Sequence, residues 1–113
     1  MSVRNVPPQI PKDEIPKEGR KVKIVDARYV TEPIYTQIGV SSKTLVLEVE
    51  LNGQRYSHLF GLNRNVITGS AARLLSAVGV TNIDDPSTQD KVAQLKGKEV
   101  TVYNRGGKLY WVV

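Results

Sequence analysis

The amino-acid sequence predicts a mainly β fold of five strands with a helical segment between the third and fourth, and three observations carry that expectation. Two alternating apolar and polar stretches meet at Asn52-Gly53, and two more meet at Gly106-Gly107. Both dipeptides readily adopt the positive φ values of a tight hairpin turn. Between these hairpins, Ala71, Leu74, Leu75 and Val78 recur at helical spacing within Gly69 to Val78.

Residues 1 to 19 hold Pro7, Pro8, Pro11 and Pro16, and their basic and acidic side chains balance. This composition reads as a flexible proline-containing arm ahead of a folded domain at 20–113. From Arg20, Val22 and Ile24 alternate with Lys21 and Lys23, after which Val25, Ala27 and Tyr29 take over the apolar phase and leave Asp26 and Arg28 opposite. A slip of one residue signals a β-bulge, which bends a strand so that it can serve two surfaces. Pro33 then interrupts the strand, and Ile34 to Lys43 reads as a long connection.

Leu45, Leu47, Val49 and Leu51 share one side of the second strand. The Asn52-Gly53 turn sets Leu51 opposite Gln54, Glu50 opposite Arg55, Val49 opposite Tyr56 and Leu47 opposite His58. That register puts Tyr56, His58 and Phe60 on the core side and Glu50, Arg55 and Ser57 outside. A helix follows from Gly69 to Val78, with Thr68 as a cap and Gly79 as its stop. Asp84-Asp85-Pro86-Ser87 reads as a turn opening a shorter helix through Val92 and Leu95. In the last hairpin Arg105 faces Lys108, Tyr103 faces Tyr110 and Thr101 faces Val112 on one side, while Val100, Val102, Leu109, Trp111 and Val113 form the other.

The composition narrows the function classes. The 113 residues suit one domain, and 16 Lys and Arg against 11 Asp and Glu give a net charge of +5, which favours polyanionic partners. Cysteine is absent, which excludes disulfides, thiolate metal sites and a cysteine nucleophile. The sequence has no phosphate-binding glycine loop, dinucleotide fingerprint, zinc-protease helix or nucleophile elbow, so neither an enzyme nor a cofactor or metal site is expected. His58 reads as a packed histidine, Asp84-Asp85 as a turn and cap, and Thr68-Gly69-Ser70 as helix capping. With no run of about eighteen apolar residues, no membrane partner is expected, and an N-terminus without a signal-peptide core suggests a cytoplasmic protein.

Three strands, a helical segment and two strands, with a bent first strand and the Leu95-Lys-Gly-Lys-Glu-Val-Thr-Val102 entry to the fourth, resemble single-stranded DNA-binding OB-fold proteins, small phage or viral types included. The resemblance covers roughly residues 20 to 113 and lies in pattern rather than in a motif. It implies a five-stranded OB-fold-like barrel that binds single-stranded DNA, or RNA as second choice, with low sequence specificity; self-association is left open. On the residues themselves, Tyr103 and Tyr110 offer a cross-strand stacking pair, with Arg105 and Lys108 placed for phosphates. Tyr35 and Lys43 lie in or beside the long first connection, and Lys21, Lys23, Arg28 and Arg55 add outward charge. Glu48 and Glu50 share the outward parity of the second strand and oppose a phosphate chain. The alternative reading is a protein-interaction or assembly module that uses the same face or a free strand edge.

Overall fold

Strand β1 (Arg20–Val30) organises the sheet, because it lies at its centre and pairs with a neighbour on each side. In the computed structural model, which describes residues 8–31, 43–62 and 69–113 together with the backbone of 34–36 and 39–41, the register of β1 against β4 (Thr44–Leu51) slips between Ile24 and Asp26. Val25 is therefore the extra residue. Before the slip, Arg20 to Lys23 pair with β6 (Glu99–Arg105); beyond it, Asp26 to Val30 pair with β4 alone. Ile24 itself bonds to the approach to β6, receiving the Gly97 N–H on its carbonyl and donating to Lys98.

Between β1 and β4 the chain makes a short antiparallel hairpin of β2 (Ile34–Thr36) and β3 (Gly39–Ser41), where the sequence suggested only a connection. β5 (Gln54–Gly61) follows β4 through the Asn52-Gly53 turn, with Asn52 at φ 55° and Gly53 at φ 78°. Its partners are those the turn dictates: Glu50 faces Arg55, Val49 faces Tyr56 and Leu47 faces His58. β7 (Lys108–Val112) closes the second hairpin, with Arg105 opposite Lys108, Tyr103 opposite Tyr110 and Thr101 opposite Val112. Helix α1 (Gly69–Ala77) buries Ala71, Leu74 and Leu75, and the one-turn-and-a-half α2 (Thr88–Ala93) buries Thr88 and Val92. Thr68 and Pro33 lie outside the described residues.

All five main strands join one antiparallel sheet in the order β5-β4-β1-β6-β7, and β5 and β7 are not hydrogen-bonded to each other. The expected barrel is thus an open sheet in its hydrogen bonding. Both edges are occupied locally by other groups. On β5, Ser57 donates its N–H to Pro8 and accepts from Ile10, and on β7 the N–H of Trp111 donates to Ser70 Oγ. An outward-pointing Ser57 was expected to be exposed, but this pairing buries it.

The core lies on one face of the sheet, under α1 and α2, and holds Val22, Ile24, Leu45, Leu47, Val49, Leu74, Val92, Leu95, Val102 and Trp111 at 2 % exposure or less. Each such side chain contributes about 1.5 to 3 kcal/mol by leaving water. Val113, expected on the same face, is exposed at the end of β7. Ile10 and Ile15 belong to this core as well. The expected arm thus places two residues in the core, while the 3-10 turn between them (Lys12–Glu14) is exposed.

Candidate functional site

The Gly106-Gly107 turn, both residues at positive φ, presents four of the ten candidate side chains at one end of the sheet. Arg105 and Lys108 are exposed, and among the described residues neither has an ion-pair partner. Tyr110 is 39 % exposed, while Tyr103 is half-buried. The Arg105 guanidinium stands over the Tyr103 ring, 5.7 Å from its centre. Val112, two residues along on the same side of β7, is exposed as well, and so is Val113.

Two residues that the sequence did not single out hold this end together. The Asn104 side chain accepts the Gly107 N–H and donates to the Lys12 carbonyl at 2.9 Å, while its backbone N–H donates to Pro16. Asn104 thus ties the turn to the N-terminal segment. Gly19, at φ +92°, lies so close to Tyr103 that a Cβ there would fall 2.6 Å from the ring. Only glycine fits that combination of φ and contact. Neither role shows in the local pattern, because both depend on segments far apart in the chain.

The other basic candidates sit in a different electrostatic setting. Arg28 forms ion pairs with Glu48 at 2.9 Å and Asp26 at 3.2 Å, its side chain only 19 % exposed. Beside it on β4, Val46 is completely buried, so this part of the outer face is closed to a ligand. Lys43 donates to Asp84 at 2.9 Å, and that bond raises its pKa. The sheet register lines up Arg55, Glu50, Lys23 and Glu99 across four strands, so positive and negative charges alternate. Lys21, 3.9 Å from Glu99, is well exposed. Tyr35 pairs with Val40 in β2 and β3, and its side chain lies outside the described residues.

On the inner face, His58 packs against Phe60 at 4.5 Å and Trp111 at 5.3 Å, ring centre to ring centre. Burial, helped by the charge of Lys12, lowers its pKa to about 4, so the ring is neutral near pH 7. Asp85 accepts the Ser87 hydroxyl and N–H, bonds that hold its carboxyl below the usual range. Together with the Lys43 pair at Asp84, this accounts for both carboxylates of the turn. A cleft of ≈ 550 Å³ opens beside them, lined by Tyr29, Lys43, Asp84 and Gln89 among others. Gln89 is occupied there: it accepts the Tyr29 N–H and donates to the Tyr29 carbonyl. Among the described residues no group of three or more His, Asp or Glu is placed to hold a metal ion, and no helix is long and apolar enough to cross a membrane.

Comparison of the chain with protein-family models, with curated proteins and with solved structures finds no match.

Proposed function

We propose that the chain is an OB-fold-like domain that binds single-stranded nucleic acid, DNA before RNA, at the β6–β7 hairpin. The fold part of this reading is supported by the strand order, the bent shared β1 and the helical segment between β5 and β6. It is supported too by the approach of the edge strands, where Phe60 of β5 lies 5.8 Å from Trp111 of β7. The ligand part rests on one observation: two cations without ion-pair partners among the described residues flank an exposed tyrosine at the end of the β6–β7 hairpin. Unpaired bases stack on such a ring whatever their sequence, and the cations neutralise phosphates. Duplex bases hide their faces, so single strands are preferred.

The measurement is a gel-shift titration with single- and double-stranded oligonucleotides at two salt concentrations. Tighter binding of the single strand, weakening as salt rises with a log-log slope of roughly −0.7 per phosphate contacted, is the expected result. Absence of binding at low salt overturns the proposal. The second reading, a protein-docking face, draws on the exposure of Tyr110 and Val112 on one side of β7.

A further inference from the structure

The sequence pairs the two tyrosines as equivalents, and the structure makes them unequal. We infer that Tyr110 alone is the base platform and that Tyr103 is a positioning residue that aims the Arg105 guanidinium at the phosphate of the same nucleotide. This rests on the single-strand reading above and assigns separate roles within that site.

Tyr103 is enclosed. Its Cε1 and Cδ1 atoms abut Gly19, the Thr101 methyl group lies against the same glycine, and Arg105 stands over the ring. A base approaching Tyr103 meets the guanidinium before the π-face. Tyr110 differs: it is exposed, and among the described residues no ring or cation stands over it. The register places Arg105 diagonally across from Tyr110, a separation of about 7 to 8 Å between such neighbours. A base on Tyr110 therefore has its phosphate within reach of Arg105. The cation–π contact limits the sweep of a long flexible side chain, and Gly19 with the Asn104 bonds limits the sweep of the ring beneath it. Arg105 is preorganised and Lys108 across the turn is not, so the planar fork of the arginine serves as the oriented phosphate contact.

The test measures binding of the full chain to an oligothymidylate of about ten nucleotides over a range of salt, for the parent and four variants. Tyr110→Ala is expected to weaken binding about 5- to 150-fold with an unchanged salt slope, because a stacking contact releases no counterion. Tyr103→Ala is expected to lose less and to make the slope shallower by roughly 0.7, as Arg105→Ala does, since each removes one ordered phosphate contact. Tyr103→Phe keeps the ring and is expected to bind like the parent. The indole fluorescence of buried Trp111 reports whether each variant is folded, and Arg105→Ala removes no buried group. Loss at Tyr103→Ala equal to that at Tyr110→Ala with an unchanged slope overturns the division of roles, as does Phe behaving like Ala. A parent that binds no single strand even at low salt overturns the functional reading itself and takes this inference with it.

Discussion

The outer face of the sheet carries basic residues at its centre and at its hairpin end, and the two sets are spent differently. At the centre, Arg28 is held between Glu48 and Asp26, and Arg55, Glu50, Lys23 and Glu99 alternate in sign across four strands. At the hairpin end Arg105 and Lys108 face each other across the turn with no carboxylate paired to either among the described residues. The net charge of +5 belongs to the whole chain, but a polyanion meets only uncompensated charge. The centre spends its cations on holding the strands together, and the end keeps them available.

Acidification tests the far side of the same sheet and has the largest expected effect. The pKa of His58 lies at about 4 when folded against 6.5 otherwise, so the unfolded chain takes up the proton first. This contribution to stability is complete above about pH 6.5 and is lost as pH falls towards 4, a loss on the order of 3 kcal/mol. Urea unfolding of the parent and of His58→Gln across that range should diverge by this amount, while His58→Gln binds nucleic acid within about twofold of the parent near pH 7. Parallel unfolding curves break the assignment of the acid sensitivity to this ring.

Next in size is the central ion cluster. Arg28→Ala leaves Glu48 largely buried beside Asp26 with its cation gone, and should cost about 1 to 3 kcal/mol of stability. The salt slope of binding in the folded fraction should not move. Replacing Arg105 and Lys108 together reverses this signature: stability stays within about 0.5 kcal/mol, and the slope becomes shallower by roughly 1.4, two phosphate contacts. If Arg28→Ala flattens the slope, the contrast between the two regions fails. The smallest effect belongs to the alternating row, where Lys23→Ala or Arg55→Ala should change affinity by less than about twofold, roughly 0.4 kcal/mol.

The hairpins were legible in the sequence because Asn52-Gly53 and Gly106-Gly107 pin the register, and every assigned partner in β4–β5 and β6–β7 then follows from counting. The bulge was legible as a change of apolar phase at Val25. What escaped was non-local. Ile10 and Ile15 stand singly among prolines and charges with no period to mark them, and they are core residues only because Ser57 and Asn104 hold their segment against the sheet. Parity alone showed that Arg28 points away from the core, but Glu48 as its partner follows from the pairing of β1 with β4 beyond the bulge. The tyrosine pair was legible as a pair; its inequality comes from Gly19, which belongs to another part of the chain.

The segment from Pro8 to Gly19 imposes an order of events during synthesis. It is made before the strands it packs against, and its carbonyl at Lys12 waits for Asn104, 92 residues later in the chain. Until β6 has been made, Ile10 and Ile15 lack Val100 and Val102, members of the core they join. Such long-range closure is slow to form. A chain cut short before residue 104 therefore lacks the Asn104 bonds to Lys12 and Pro16 that tie this segment to β6.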